Sequence, residues 1–448
     1  MSAQRRIAVI GSGISGLAAA HRLCDPREPN RAAVTLFEAG SHFGGHTHTV
    51  DVTLPGAHGP ATHGVDTGFL VFNHRTYPKL VALFDELGVA SVASEMSFSV
   101  QVPDAGLEWS GCDLGSVFAQ RRNLLRPGFW RMLIDLLRFN RVARALAERG
   151  DGIELEQSIG DFLREQRFSG EFRDWYLLPM LGCIWSCPTD QMLRFPVATM
   201  VRFCHNHGLI QITDRPQWYT VRGGAKHYVD KLLQRLPDVR LATPVLQVLR
   251  SEGGVQVVTR RGGTERFDEV VFACHSDQAL ALLADAAPAE RAVLGAIRYH
   301  ANHAVLHTDT SVLPTRRRAW AAWNYERAAS DSGEQVGVCL HYWINRLQPL
   351  PFAQDVVVSL NPGREPAPAS VLGRFDYAHP VFDAPALAAQ RRLPEIQGRR
   401  RSWYCGAWTG YGFHEDGLTS GLAVAEALLG EAGAPERHAA PRAQREIA

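Results

Sequence analysis

Lysine is nearly missing from this chain. Of the 47 basic residues among 448, only Lys79, Lys226 and Lys231 are lysines and the rest are arginines. Catalytic chemistry that needs a lysine amine is confined to those three positions. Net charge is almost absent as well: 46 acidic residues leave a formal +1, so the average gives no reason to expect a nucleic-acid partner. The eight cysteines, Cys24, Cys112, Cys183, Cys187, Cys204, Cys274, Cys339 and Cys405, contain no C-x-x-C pair. That pattern points to reduced thiols in a cytoplasmic setting and away from a disulfide framework. Cys183 and Cys187, with His205 and His207 downstream, lack a second tight ligand pair, and no metal is expected. No apolar run approaches the ~20 residues of a membrane span. With 46% hydrophobic and 21% charged residues the chain is not a disordered or collagen-like one. Its length suits two large lobes at roughly 150 residues per domain.

What is present begins at once. Arg5-Arg6 before an apolar run imitates a signal peptide, but regularly spaced glycines follow. Ile7-Ala8-Val9-Ile10 reads as a buried strand, Gly11-Ser12-Gly13-Ile14-Ser15-Gly16 as a turn, and the Ala-rich stretch to Leu23 as a helix. Gly11 permits the tight turn, Gly13 lets a pyrophosphate reach the backbone, Gly16 lets the helix pack closely on the strand, and Ser15 of the same turn is a candidate cofactor-binding residue. A second strand, Ala33 to Phe37, ends in Glu38, placed to accept hydrogen bonds from ribose hydroxyls. Strand, glycines, helix and terminal acid in register predict a dinucleotide site.

Glu38-Ala39-Gly40-Ser41-His42-Phe43-Gly44-Gly45-His46 resembles the E-A-x-x-R-x-G-G-R segment of the flavin-containing amine oxidase and phytoene desaturase superfamily. In that family the glycine pair brings a second stretch of backbone to the FAD pyrophosphate, which implies Gly44, Gly45 and His46 here. Both family arginines are replaced by histidines, His42 and His46; these either donate to phosphate or are surface histidines of a turn. Asp66-Thr67-Gly68-Phe69 matches the family's D-x-G segment beside the isoalloxazine, implying Thr67 and Gly68. Asn73 either bonds the flavin or caps the helix that starts near Tyr77. Tyr219 to Ala225, a helix through Leu233 and a strand Val239 to Val248 look like the second glycine pair, helix and adenine-side strand, with Val245 near the adenine. Trp403 to Ala407 and then Gly412 to Gly417, leading into a helix Leu418 to Leu429, resemble the closing FAD motif, implying Gly406, Glu415, Asp416 and Gly417. There the helix N-terminus faces the flavin's pyrimidine edge, where a positive dipole end stabilises the reduced ring. Within the superfamily the chain looks like a bacterial subgroup labelled only as predicted NAD/FAD-binding protein, often encoded near cyclopropane-fatty-acid-synthase-like methyltransferases.

The resemblance implies an α/β protein: a discontinuous Rossmann-like FAD-binding domain over 1–75, 216–290 and 395–430, with an inserted α+β substrate domain over 76–215 and 291–394. The first insertion is helical by periodicity, at Tyr77 to Leu87 and Phe129 to Leu146; the second carries the strand-like runs His303–His307, Trp320–Tyr325, Val336–Ile344 and Val356–Leu360 of an antiparallel sheet. Residues 431–448 read as a disordered tail.

Amine oxidases of the family usually hold a lysine near flavin N5, just before a strand that corresponds here to Leu294 to Val305. None of the three lysines lies there. His303, then His300, are the candidates for a base or proton relay in its place; a hydrogen-bonded core or rim role is the alternative. Tyr299, Trp408, Tyr411 and Phe413 either form an aromatic wall or pack; His414 and Glu415 border the flavin motif. The segment 121–149 holds eight arginines, with Asp135 and Glu148 as its only acids and Phe129, Trp130, Met132, Ile134, Leu137 and Phe139 between them. It reads as a basic amphipathic helix, docking an anionic membrane surface or packing its apolar face inward. The function expected is an FAD-dependent oxidoreductase taking a hydride from a C–H of an apolar substrate, a lipid acyl chain, in the cytoplasm or at the inner face of its membrane. A peroxide-producing amine oxidase acting on a small molecule and a non-catalytic flavin-binding protein are the other readings; a nicotinamide dehydrogenase has only one full GxGxxG to rest on.

Overall fold

The computed structural model describes residues 4–149, 157–186, 188–211, 215–260, 263–327 and 338–431. Cys187 and the expected tail from 432 onward lie outside them. Two compact units account for the chain: 1–45, 228–298 and 385–448 form the first, 46–227 and 299–384 the second.

The first unit is built on a five-stranded parallel sheet. Arg6–Ile10 lies at its centre between Ala33–Phe37 and Glu269–Phe272, with Asp238–Arg240 and Ser402–Tyr404 at the edges. Ile7, Ala8, Val9 and Ile10 are all buried, as a central strand covered on both faces requires. The helices Ile14–Cys24 and His414–Glu431 pack so closely that a Cβ on Gly421 would lie 2.2 Å from the Ser15 carbonyl oxygen. The final helix begins four residues earlier than its apolar pattern suggests. The strand expected over Val239–Val248 is two strands. Asp238–Arg240 joins the parallel sheet and Val245–Ser251 a separate three-stranded antiparallel one. Ala242 between them takes a left-handed φ of 48°, and Pro244 has no N–H to give a ladder. A buried fork holds the sheet's far side: Arg250 meets Glu290 with Nη2 2.9 Å from Oε2, and Tyr404 donates to Glu290 at 2.7 Å. Burial alone would raise the Glu290 carboxyl; Arg250 and the Ala287 amide hold it below its ordinary value.

The second unit contains a seven-stranded sheet in the order Val371–Pro380, Tyr299–His307, Val357–Leu360, Cys339–Trp343, Trp323–Glu326, Phe98–Val102, Leu107–Ser110. Every pairing is antiparallel except that of Trp323–Glu326 with Phe98–Val102. Helices Pro78–Leu87 and Pro127–Arg149 fall where the periodicity puts them. Residues 46–75 and 216–227, which the sequence assigns to the nucleotide domain, group with this unit.

A fully buried carboxylate explains that grouping. Asp66 accepts hydrogen bonds from the Ala225 amide at 2.9 Å, the Gln348 side chain at 2.8 Å and the Thr49 hydroxyl, while its own N–H donates to Gln348 at 3.0 Å. Burial pushes its carboxyl up to about 7, against these bonds, which pull it down. Because the folded form binds the proton more tightly than the unfolded chain, this group's contribution to stability falls as pH rises from about 4 to about 7. Asp66→Asn is expected to flatten that decline. The check is the difference in urea midpoint between pH 5 and pH 8; an unchanged difference would remove Asp66 as its source.

Candidate active site

In the first unit the glycine turn is shaped by contact. Gly11 has φ +106°, and a Cβ there would lie 2.6 Å from the Ala273 carbonyl oxygen; a Cβ on Gly16 would lie 1.9 Å from the Gly11 oxygen. Around a Cβ on Gly13, by contrast, nothing lies within 4 Å. Gly13 is also the N-cap of Ile14–Cys24, and among the described residues no side chain caps that end or places an acid in its first turn. An open floor beneath a helix N-terminus suits a pyrophosphate. Gly44 donates to the Ser12 carbonyl at 3.1 Å, and Gly45, φ +58°, sits over Gly13, so the two glycine segments meet. His42 closes the second loop on itself: its Nε2 lies 3.2 Å from the Gly45 carbonyl and donates to it, which gives it a loop-forming role. Glu38 accepts from Ser12 N at 3.0 Å and Gly40 N at 2.7 Å, and its Oε1 retains a lone pair for a ribose hydroxyl. Val245 is buried at the start of its strand.

At the closing motif, Asp416 turns inward. It is half-buried, accepts the Phe413 amide at 2.9 Å, and loss of solvent raises its carboxyl to about 6. Its oxygens are spent on the 410–413 turn, which leaves Glu415 as the acid at the helix start. Gly417 packs on Ile14, and Gly406 donates to Ser420 at 2.9 Å. Trp408 is buried and donates to the Cys274 carbonyl, and His414 bonds Tyr228 at 2.7 Å; both serve the packing of this unit. Ser15 is buried.

The second unit gathers a polar face on the paired strands Tyr299–His307 and Val371–Pro380. Register puts His300 opposite His379 and Asn302 opposite Tyr377, so these four side chains share a face; His303 opposite Asp376 takes the other. His303 is half-exposed, 2.9 Å from the exposed Asp376 and 3.3 Å from Arg374. An exposed ion pair is a poor place for a base that must work in a dry site, so His303 loses the role the sequence suggested. Asn302, two per cent exposed, stands on the shared face instead. Thr67 lies 2.7 Å from the Tyr377 hydroxyl and donates to the His48 carbonyl at 3.0 Å, and His48 Nδ1 is 3.1 Å from Tyr377. His46 stacks 5.2 Å from the rings of both Tyr377 and His379. Gly68 fits directly against His46, where a Cβ would meet its carbonyl oxygen at 2.2 Å. Asn73 does not cap helix Pro78–Leu87, whose N-cap is Tyr77; its Oδ1 accepts the Arg75 and Thr76 amides in the turn before it. Asn302, Tyr377, His379 and His48 were missed because they are joined by cross-strand register, and no local motif carries them.

Among the described residues one group offers metal-type donors close together: Glu326, Cys339 and His341. The Asp309 amide donates to His307 Nδ1, so His307 Nε2–H donates to Ser359, whose hydroxyl lies 2.7 Å from His341 Nδ1. His341 Nε2 lies 3.0 Å from Glu326, in a hydrogen-bonded chain through the sheet; burial alone would lower the ring, but Cys339 and Glu326 raise it to about 9.

The profile of flavin containing amine oxidoreductases matches residues 14–340. The chain belongs to that family. It is an FAD-dependent oxidoreductase. Among solved structures it is similar to a provisional protoporphyrinogen oxidase from Exiguobacterium sp. 255-15 (18% identity, 96% of this chain and 99% of that one, TM-score 0.67). It is also similar to the CLA-producing fatty acid isomerase from P. acnes (15%, 95% and 99%, 0.67) and to cyclohexylamine oxidase from Brevibacterium oxydans IH-35A (17%, 96% and 99%, 0.67). At such identities the likeness shows the fold. No curated protein matches the chain.

The residues present fit FAD: the Gly13 floor and uncapped helix for the pyrophosphate, Glu38 for the ribose. Two glycine variants separate the roles. Gly13→Val should fold normally yet weaken FAD binding by tenfold or more, whereas Gly16→Val should lower the melting temperature of the apoprotein itself. Flavin fluorescence titration and thermal melts check this; full-strength binding by Gly13→Val would count against the cradle.

Proposed function

We propose that this flavoenzyme oxidises an apolar lipid-class substrate, removing hydrogen from a carbon–carbon unit of an acyl chain at the membrane's inner surface, where such chains reside. The observation that carries the reading is the occupant of the strand facing the family's D-x-G segment: Asn302, neutral and hydrogen-bonded, in a chain with no lysine anywhere on that strand. A fatty acid isomerase among the structural neighbours is in keeping with an acyl substrate on this fold.

FAD, when bound, supplies two-electron acceptance from a substrate C–H. The chain handles the proton. Thr67 gives its only hydrogen to the His48 carbonyl, so the Tyr377 hydroxyl donates to Thr67 and His48 Nδ1–H donates to Tyr377. Burial raises Tyr377 to about 12, so it keeps its hydrogen at neutral pH. We assign His48, next to Tyr377 and Thr67, as the group that takes the substrate proton. Asn302 and Tyr377 position their neighbours.

The test is anaerobic flavin bleaching of the FAD-loaded protein, with membrane phospholipids in one arm and amines in the other. Bleaching by amines alone would sink the lipid reading in favour of an amine oxidase, and no bleaching by either in favour of a non-catalytic flavin protein. His48→Gln should slow bleaching about 10²-fold, while His303→Gln should leave it within about twofold. The reverse order would restore His303.

A further inference from the structure

Large apolar side chains exposed to solvent are concentrated in one stretch of the second unit. Leu114, Leu124, Leu125, Trp130, Ile134 and Leu137 all stand out, Leu125 at 89% and Leu114 at 80% exposure. On helix Pro127–Arg149 the stripe Trp130, Ile134, Leu137 follows i, i+4, i+7, while Phe129, Met132, Phe139 and Ala143 bury the opposite side. The helix thus satisfies its packing with one face and still carries a second apolar face outward. Trp130 gathers the neighbouring turns onto that face. Its indole N–H donates to the Leu124 carbonyl at 2.9 Å, fixing the turn Arg121–Leu125, and its ring lies 5.5 Å from Phe118, which ends the helix Leu114–Val117.

Arginines outnumber acids around the patch. Arg121, Arg122, Arg131, Arg141 and Arg144 are exposed, and Arg318 lies beside Gly115, next to Leu114. The acids balance them only in part: Glu171 pairs with Arg131 at 3.0 Å and Asp113 adjoins Leu114, but Asp135 is buried and accepts the Ser169 amide, and Glu148 sits at the far end of the helix.

We propose that this face docks on an anionic phospholipid bilayer, with Leu114, Leu125 and the helix stripe entering the headgroup boundary and the arginines holding the phosphates. A bilayer fits better than a protein groove because the most exposed leucines protrude from separate turns, and a fluid phase admits such side chains without a matching mould. The basic ring complements anionic headgroups. The inference deepens the lipid reading above and supplies its partner surface, but its test does not depend on turnover.

The FAD-loaded protein is co-sedimented with vesicles of phosphatidylglycerol mixed with phosphatidylcholine, and with phosphatidylcholine alone. Strong partition to the anionic vesicles, falling with salt, is expected. Replacing Leu125 and Ile134 by serine should weaken partition about tenfold, and Arg131→Gln, Arg141→Gln and Arg144→Gln together should weaken it about a hundredfold on anionic vesicles only. Far-UV and flavin spectra confirm that the variants are folded and loaded. Failure to bind anionic vesicles, or equal binding by wild type and variants, overturns the proposal. So does a concentration-dependent dimer that the serine variant abolishes, which would make the face a contact between two copies. Flavin bleaching by detergent-dispersed phospholipid, unchanged in these variants, keeps a failed docking surface distinct from a failed substrate reading.

Discussion

A buried carboxylate fastens the second unit together around the segment that the family sets beside its flavin. Asp66 draws the end of strand Gly59–Asp66, the turn before helix Lys226–Leu233 and Gln348 onto two oxygens. Taking a carboxyl fully out of water is costly unless its lone pairs are used, and here three separate donors use them. The consequence is positional. With Asp66 held at both its side chain and its backbone N–H, Thr67 and Gly68 have no freedom to drift, and Thr67 can present its hydroxyl to Tyr377. The nearness of this site to protonation near neutral pH also makes it a weak point: the donors are arranged for a charged acceptor, while burial favours the neutral form.

What was legible in the sequence was what lies close along the chain. The turn Gly11 to Gly16, the terminal acid Glu38 and the pair Gly44-Gly45 each follow from local backbone demands, and the structure shows the contacts that impose them. What was not legible depends on partners far away in sequence. The apolar run from Val239 to Val248 reads as one strand, yet a left-handed Ala242 sends its two halves into different sheets. Asp416 reads as a cofactor ligand by its place in the motif, but the Phe413 amide claims it. His303 and Asn302 are neighbours in sequence, and only the pairing with Val371–Pro380 tells which of them faces inward.

The scarcity of lysine gains a structural meaning from that pairing. A lysine on the Asn302 face would bring a flexible cation among His46, His48, His300 and His379, and a neighbouring positive charge discourages imidazole from taking a proton. Asn302 offers direction without charge. The averages of composition conceal the opposite situation outside, where arginines cluster on one helix face of a chain whose net charge is only +1.

Hydrogen-bond polarity on this face can be followed from fixed donors and acceptors. The backbone N–H of His303 donates to Asn361 Oδ1, so the Asn361 amide nitrogen must donate to Asn302 Oδ1, as it does to the Val338 carbonyl. The Asn302 amide nitrogen then donates to the His300 carbonyl and to His379 Nδ1 at 2.8 Å. His379 Nδ1 is therefore the accepting atom of that pair. The same reasoning from the His48 carbonyl through Thr67 and Tyr377 gives His48 the opposite polarity at Nδ1, which donates to Tyr377. The Nδ1 atoms of these two histidines thereby have opposite polarity, acceptor on His379 and donor on His48, set by backbone groups that cannot change theirs. His303 contributes to this division through its backbone alone.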